Sequence, residues 1–274
     1  MPTIDLSSFG AGVSSQTSNH VFLAYLPQNS AAPIPITDNL RANVFDSWKG
    51  CLSLVPVNAL ANSTEPSLRQ PQISALFEIL GHLTSHSIGD ATIVMPTGTG
   101  KTETMLAAVC GLPVERALVV VPTDSLRQQT FKKFLELGKL RNLNTLRDGT
   151  LNPVTAFLEG AIITKEELQL ALMANVIVTT PQSLYQVDID LRSALYDACT
   201  HLFVDEAHHV KAPTWDAVKK AFIGKPIVQF TATPFREDRR KVGGKIIYNY
   251  PMSSAQERGL FRPITFKAIY EVND

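Results

Sequence analysis

Cysteine is scarce in this sequence, which has only Cys51, Cys110 and Cys199. The three lie far apart and are odd in number, so the sequence predicts neither a disulfide framework nor a zinc cluster. A chain that does not depend on disulfides suits a reducing compartment, and we predict a cytoplasmic location on that basis.

A net charge of either sign is also missing, because 25 Lys and Arg residues balance 25 Asp and Glu residues. Bulk charge therefore does not indicate a nucleic-acid partner, and any surface that contacts one must be local. No apolar run approaches the roughly 18 residues of a membrane span. The first residues, MPTIDLSSFGAG, lack the basic region and apolar core of a secretory signal. We therefore expect no membrane partner.

Apolar residues, in contrast, make up 45% of the 274 residues, enough to form the core of one large α/β domain or a domain and a half. Residues 1–66 are the exception, because Ser, Asn, Ala and Pro dominate much of them and no recognisable chemistry occurs there. We predict a partly ordered N-terminal extension. Within it, the strand-like residues 21–26 and the apolar run at residues 52–57 could pack onto the main domain.

Short apolar runs alternate with segments of helical periodicity from residue 68 onward. Each run is typical of a buried strand. The runs end at Val94, Val121, Thr179, Val204 and Phe230. Residues 138–160, with Gly, Asn and Pro, are predicted to be irregular. The alternation predicts an α/β fold, with a mostly parallel sheet flanked by helices on both faces.

The stretch ATIVMPTGTGKTETML, at residues 91–106, predicts a phosphate-binding loop. A buried strand, a glycine-rich loop and a helix follow one another here, and that context favours a phosphate loop over a ligand-free turn rich in Gly and Thr. The strict pattern has Gly where Met95 stands; PTGTGKT resembles the version of the loop found in helicases, in which that position is relaxed. Backbone N–H groups of such a loop point at phosphate oxygens. The predicted nucleotide-binding residues are Pro96, Thr97, Gly98, Thr99, Gly100, Lys101 and Thr102.

Three charged residues are predicted to be catalytic, with ATP and Mg²⁺ as cofactors. Lys101 can reach the β- and γ-phosphates, and the Thr102 hydroxyl can ligate Mg²⁺. Asp205 follows an apolar strand and can bind the same ion opposite Thr102. Glu206, beside it, can orient and deprotonate the attacking water. The alternative is that the two acids only cap a turn, and the strand and phosphate loop in the same chain argue against it.

Polar residues follow every predicted strand. Ligands of an open parallel sheet bind at the carboxyl ends of its strands, so these loops should meet at one edge. His208 could then connect the acidic pair by hydrogen bonds to the Thr-Ala-Thr segment that begins at Thr231. Gln72 begins a predicted helix and could read the adenine edge through its amide, although such a residue alone is more often a solvated helix residue.

Five segments with the pattern of known motifs follow one another along the chain: PTGTGKT, VVVPTDSLRQQ, VTTPQSL, FVDEAHH and FTATPFRED. Together they resemble the first RecA-like motor domain of the superfamily-two helicases, in the DEAD/DEAH-box group related to type III restriction subunits. The resemblance covers residues 68–238. It implies a RecA-like P-loop domain that hydrolyses ATP and couples hydrolysis to movement along, or separation of, nucleic-acid strands.

The resemblance also implies residue roles. Gln72 matches the adenine-reading glutamine of the family. The matches to its nucleotide and magnesium site are Lys101, Thr102, Asp205 and Glu206. The matches to its coupling motif are Thr231 and Thr233. The motifs that follow the nucleic-acid backbone contain Pro122, Thr123, Thr180 and Gln182. Such contacts come mostly from backbone N–H groups and hydroxyls, which is compatible with zero net charge.

A second motor domain is a further implication. Active helicases of this kind resemble a pair of such domains, and the second one supplies arginine fingers to the ATP clamped between them. Arg236, Arg239 and Arg240 follow the Thr-Ala-Thr segment but do not match the finger motif. We therefore expect a truncated or split motor that works with a second RecA-like domain or a partner subunit.

The predicted division of the chain has three parts: the extension at residues 1–66, the ATP-binding domain at 67–242, and the start of a connection to a second domain at 243–274. Two classes of function fit it. One is the ATP-hydrolysing motor domain of a helicase or translocase, with DNA favoured over RNA. The other is a nucleotide-dependent nucleic-acid-binding module, or a restriction-type subunit, with little ATPase activity alone.

Overall fold

A nine-stranded sheet forms the centre of the fold. The computed structural model describes residues 4–10, 12–28, 30, 32–54, 66–85, 89–112, 114–209, 212–235 and 242–261. The strands are β1 (Ser14–Thr17), β2 (Val21–Tyr25), β3 (Asp90–Val94), β4 (Ala117–Val120), β5 (Thr155–Leu158), β6 (Val176–Thr179), β7 (His201–Val204), β8 (Ile227–Thr231) and β9 (Lys245–Asn249). Their order across the sheet is β1-β2-β5-β6-β4-β7-β8-β3-β9.

Helices connect most of these strands. They are α1 (Asp38–Trp48), α2 (Gln70–Thr84), α3 (Lys101–Gly111), α4 (Asp124–Glu136), α5 (Lys165–Leu172), α6 (Pro181–Gln186), α7 (Ile189–Ala198), α8 (Ala212–Ala221) and α9 (Met252–Glu257). Short 3-10 helices cover Ser7–Phe9 and Ala207–His209. Among the described residues, no helix is both long and apolar enough to cross a bilayer.

The predicted α/β fold with a mostly parallel sheet is confirmed. Among the described strands, every neighbouring pair in the order β5-β6-β4-β7-β8-β3-β9 is parallel, whereas β1 pairs with β2, and β2 with β5, in antiparallel orientation. Every residue of β4, β6, β7 and β8 is buried. Because successive side chains of a strand point to opposite faces, continuous burial means that both faces of the sheet are covered.

The N-terminal residues contribute to this sheet and its core. Strand β2 is buried along its whole length and pairs with both β1 and β5. Trp48, at the end of α1, is 2% exposed, and its indole N–H donates to the carbonyl oxygen of Leu151 at 3.0 Å. The predicted boundary at residue 66 stays a prediction. Of the apolar run at residues 52–57, positions 55–57 lie outside the described residues.

One sequence-based prediction is wrong. Residues 138–160 were expected to be irregular, yet β5 lies within them and joins the N-terminal hairpin to β6. The strand has only four residues, so it is too short to show a period, and its preceding Pro153 suggested a loop. Its pairing partners are distant in the sequence, which local patterns do not reveal.

His201, the first residue of β7, should make stability depend on pH. It is 8% exposed, and burial lowers its pKa from 6.5 to about 4. The unfolded chain binds this proton at higher pH than the native state does, so stability is lost as the pH falls from about 6.5 towards 4. The expected contribution is roughly 2 to 3 kcal/mol. Urea unfolding of the wild type and His201→Gln, at about pH 7 and about pH 4.5, measures it; equal losses in both proteins would contradict the assignment.

Candidate nucleotide site and nucleic-acid edge

The predicted phosphate loop lies between β3 and α3. Gly98 and Gly100 have φ values of 84° and 96°, a region that favours glycine. The Thr99 hydroxyl donates to the Pro96 carbonyl oxygen at 2.6 Å, which closes the loop on itself. Helix α3 then begins at Lys101. Backbone and sequence therefore produce the strand, loop and helix order that a phosphate site requires.

The surroundings of Met95 explain how the loop tolerates a residue other than glycine at its first position. Its side chain is fully buried in the core. Its backbone N–H donates to the Thr231 carbonyl oxygen at 2.9 Å, and its own carbonyl oxygen accepts from Lys101 Nζ at 3.3 Å. The side chain therefore packs into the core while the backbone of Met95 supports the loop.

Lys101 and Glu206 form an ion pair at the centre of the site. Lys101 Nζ lies 3.0 Å from Glu206 Oε1, and the two side chains are only 6% and 16% exposed. Glu206 has a φ of 48°, which is unusual for a residue with a side chain. Among the described residues, its buried Oε2 atom has no hydrogen-bond partner. The glutamate is thus held in a strained position beside the lysine of the phosphate loop.

Asp205 is a buried carboxyl group next to this pair. It is 5% exposed, and it accepts a hydrogen bond from the backbone N–H of Glu206 at 3.0 Å. Burial, helped by the charge of Glu206, raises its pKa to about 6, while Lys101 acts in the opposite direction. A carboxylate in such a place is stabilised by a further cation.

The oxygen donors at this site fit Mg²⁺. The described residues contain no cluster of three His, Cys, Asp or Glu side chains able to hold a metal ion by themselves. A magnesium ion in a nucleotide site needs only one or two protein oxygens, because phosphates and waters complete its coordination. The Asp205 carboxylate and the Thr102 hydroxyl at the start of α3 are oxygen donors of that kind.

The residues predicted to couple the site to the rest of the domain are in contact. His208 Nδ1 lies 2.9 Å from the Thr231 hydroxyl, which donates to the Thr233 carbonyl oxygen at 2.8 Å. His208 Nδ1 is also 3.5 Å from Glu206 Oε2. A continuous path of polar contacts therefore runs from the acidic pair after β7 to the segment after β8.

Gln72 lies beside the loop but its amide is engaged by the backbone. It is 4% exposed, its Oε1 accepts from the N–H of Arg69 at 2.8 Å, and its Nε2 donates to the Gly100 carbonyl oxygen at 3.2 Å. Arg69 Nη1 also donates to the Gly98 carbonyl oxygen at 3.4 Å. In this structure Gln72 connects α2 to the phosphate loop, and its adenine-reading role stays a prediction.

The loops after three different strands line one cavity of about 410 Å³. Its lining residues are Thr97, Pro122, Thr123, Leu126, Glu206 and His208. Sequence reasoning gave no role to Leu126, which follows Thr123 by one helical turn. The remaining predicted nucleic-acid residues lie after β6: Thr180 is buried and caps α6 through Ser183, and Gln182 is exposed. Arg236, Arg239 and Arg240 lie outside the described residues.

Most of the chain matches one known protein family. The family model described as "Type III restriction enzyme, res subunit" matches residues 65–236, more than half of the chain. The chain belongs to this family. The match begins just before α2 and ends just after β8, so it contains the phosphate loop, the acidic pair and the Thr-Ala-Thr segment. No curated protein matches the chain.

Solved structures of restriction enzymes and helicases are also similar. The Type ISP restriction-modification enzyme LlaBIII bound to DNA is 19% identical, with a TM-score of 0.44, over 71% of this chain and 16% of that chain. The UvsW helicase from Bacteriophage T4 is 14% identical, with a TM-score of 0.43, over 69% of this chain and 59% of that chain. The chain thus spans less than two thirds of the length of either relative.

Gly100→Ala should disable the phosphate loop of this res-family chain. A methyl group there would overlap the Gln72 amide nitrogen and lie 2.8 Å from Gln72 Cδ, and the φ of 96° is itself strained for alanine. We expect ATP affinity to fall at least about tenfold as loop amides are displaced. Titration with a fluorescent ATP analogue measures this.

Gly89→Ala is the matched control for that experiment, because a methyl group at Gly89 meets nothing within 4 Å and its φ is not in the left-handed region. Its ATP affinity should equal that of the wild type. The double variant Gly100→Ala with Gln72→Ala lacks the overlap and keeps the φ strain, so it separates these two causes. An unchanged ATP affinity in Gly100→Ala would show that the loop does not hold the phosphates.

Proposed function

We propose that this chain is the ATP-binding motor domain of a helicase or translocase, which hydrolyses ATP with Mg²⁺ and couples hydrolysis to nucleic-acid binding. The ion pair between Lys101 and Glu206 carries the proposal. It joins a phosphate-loop lysine to a glutamate after a different strand, in a buried position beside the shared cavity. A lysine and a carboxylate buried together this way suit phosphoryl transfer better than a purely structural role.

The ion pair also indicates how the residues act. Arriving phosphates compete with Glu206 for Lys101, because the lysine pairs with either anion. Glu206 is then released to hold the attacking water and accept its proton. Bound magnesium would supply charge neutralisation at the phosphates, and the Thr102 hydroxyl and Asp205 carboxylate would hold it.

Coupling to the rest of the domain follows the polar path from Glu206 to His208 and Thr231. His208 Nδ1 lies near both Glu206 and the Thr231 hydroxyl, so a change in the charge near Glu206 would act on the hydrogen bond between His208 and Thr231. Thr231 in turn accepts, through its carbonyl oxygen, from the N–H of Met95 at the phosphate loop. Polar contacts therefore join the two sides of the site, and this arrangement supports the proposed coupling.

DNA is the proposed partner, because the family is that of a restriction subunit. The proposed contact points are Pro122, Thr123, Thr180 and Gln182. Thr123 and Thr180 are the first helix-capping residues after β4 and β6, two neighbouring parallel strands. Hydroxyls and backbone N–H groups at that edge can contact a phosphate backbone without reading its sequence.

Binding to a single-stranded oligonucleotide should be weak, independent of sequence and sensitive to salt. Contacts to phosphates release counterions, so the logarithm of the binding constant should fall linearly with the logarithm of the salt concentration. Fluorescence anisotropy at several salt concentrations, with and without a non-hydrolysable ATP analogue, measures this for DNA and RNA of the same sequence. No binding at low salt under either condition would contradict a nucleic-acid role for this chain.

A second RecA-like domain, in the same protein or in a partner subunit, is proposed to complete the site. The proposal is supported by the family resemblance and by the three arginines after Thr233, which do not match the finger motif. Turnover and strand separation by this chain alone are then expected to be low.

A further inference from the structure

Arg127, on α4, is a buried arginine with an unusual set of contacts. It is 3% exposed. Its Nη1 atom donates to the Leu158 carbonyl oxygen at 2.6 Å and to the Ser183 hydroxyl at 3.1 Å, and its Nη2 atom pairs with Asp124 at 3.1 Å. Its guanidinium carbon lies 4.5 Å from the centre of the Phe157 ring. One side chain therefore connects α4, β5 and α6.

Packing alone does not explain an arginine at this position. Arg127 lies on the same buried face of α4 as Phe131 and Phe134, where helical spacing favours an apolar residue. Burial lowers the pKa of Arg127, and among the described residues its buried Nε atom has no hydrogen-bond partner. A buried charge of this kind is costly, and an apolar residue often serves stability equally well. The polar contacts of the guanidinium are therefore the basis for a role beyond packing.

The contacts of Arg127 lead to the proposed nucleic-acid residues. The Ser183 hydroxyl lies 3.1 Å from the Thr180 hydroxyl, which also accepts from the N–H of Ser183 at 3.2 Å. On the other side, Arg127 lies on the first turn of α4, which Thr123 caps. Its backbone N–H donates to the Thr123 carbonyl oxygen at 2.9 Å, as any residue but proline would, and its guanidinium pairs with Asp124, the residue next to Thr123. Arg127 thus connects Thr123, which follows β4, to Thr180, which follows β6.

We infer that Arg127 is a positioning residue for the proposed nucleic-acid contacts. It fixes Thr123 and Thr180 relative to each other, so that both contact one nucleic-acid strand. This inference rests on the proposed function. Arg127 itself is too buried to touch the strand. A planar guanidinium can bond the Leu158 carbonyl and the Ser183 hydroxyl together while stacking on a ring, and a lysine ammonium cannot reproduce that geometry.

Arg127→Lys is the variant that tests this role, because it keeps the charge and loses the planar fork. We expect its affinity for a fluorescent single-stranded oligonucleotide to fall about tenfold, the loss of one charge-assisted contact. Its affinity for a fluorescent ATP analogue should stay within about twofold of the wild type, because Arg127 makes none of the contacts of the phosphate loop. A purely structural arginine would not separate these two affinities.

Arg116→Lys is the matched control. Arg116 is a second arginine whose guanidinium bonds three carbonyl oxygens, those of Ala174, Ala198 and Leu172, at 3.2, 2.8 and 2.6 Å. It precedes β4, at the amino-terminal ends of the parallel strands, whereas Thr123 follows β4 at their carboxyl ends. Arg116→Lys should lower the thermal midpoint and leave oligonucleotide affinity unchanged. An equal loss of oligonucleotide affinity in both variants would overturn the positioning role.

Ser183→Ala decides the question if Arg127→Lys does not fold, because it removes only the connection to Thr180. It should weaken oligonucleotide binding. Where Arg127→Lys does fold, the double variant should bind no more weakly than Arg127→Lys, since both changes break one connection. If the wild type binds and neither single variant binds more weakly, only the positioning role is overturned. If the wild type does not bind at all, the proposed function is overturned as well.

Discussion

Glu206→Gln is expected to bind ATP at least as tightly as the wild-type chain and to hydrolyse it about 10² to 10⁴ times more slowly. Glutamine cannot accept the proton of the attacking water, which accounts for the slower hydrolysis. Affinity should be preserved because the change removes a carboxylate that pairs with Lys101 at 3.0 Å and repels phosphate. Equilibrium binding and single-turnover hydrolysis measured on the same preparation separate the two effects.

Asp205→Asn should behave differently from Glu206→Gln. It removes a proposed magnesium ligand, so the magnesium dependence of ATP binding should weaken. Glu115→Gln is the control. Glu115 is also ion-paired, with Arg41 at 2.7 Å, and it lies before β4, at the amino-terminal ends of the parallel strands and so away from the site. Neither the magnesium dependence of ATP binding nor the rate of hydrolysis should change in Glu115→Gln. An equal loss of ATP binding in Asp205→Asn and Glu206→Gln would indicate that the acidic pair is structural.

Steady-state ATP hydrolysis by the chain alone, at saturating nucleic acid, is expected to be far slower than after a second RecA-like domain is supplied. An arginine finger raises the rate of phosphoryl transfer by about 10³ to 10⁵ where it has been measured. Arg236, Arg239 and Arg240 do not match the finger motif. Closure by a second domain would also exclude water from the γ-phosphate and commit the substrate.

The measurement compares turnover before and after the second domain is added, either fused to the chain or as a separate protein. Supplying the same domain with its finger arginine changed to alanine is the control and should give little gain. If the chain alone already hydrolyses ATP at the rate reached with the second domain, it is not half of a motor, unless it supplies a finger to itself by association. Sedimentation under the assay conditions distinguishes these two results.

Local patterns were sufficient for the motifs and for most of the sheet. The runs before the phosphate loop and before Asp205 are short and mostly apolar, which is the pattern of a parallel strand that is buried on both faces. Thr123 is a residue type favoured at a helix N-cap, and its hydroxyl accepts from the N–H of Leu126, three residues later, at 3.3 Å. In each case the cause lies within a few residues of the effect, so the sequence shows it directly.

Non-local contacts decided what these patterns left open. Strand β5 was missed because its partners, β2 and β6, give its four residues their identity as a strand. The hydrogen bond from the Gln72 amide to the Gly100 carbonyl oxygen, 28 residues later, was not evident from the sequence, and the adenine-reading role of Gln72 stays a prediction. Arg127 and Ser183 are 56 residues apart, and no local pattern connects them.

The sequence by itself determined the α/β class, the strand, glycine-rich loop and helix of the predicted phosphate site, and the order of the five motifs, because periodicity, turn residues and caps act over one or two turns of chain. Only the tertiary structure decided that the N-terminal hairpin extends the sheet through β5, that Lys101 pairs with Glu206, and that Arg127 connects the two proposed nucleic-acid loops. Such pairings depend on which strands become neighbours, and that choice is made by burial of the whole core rather than by any segment of it.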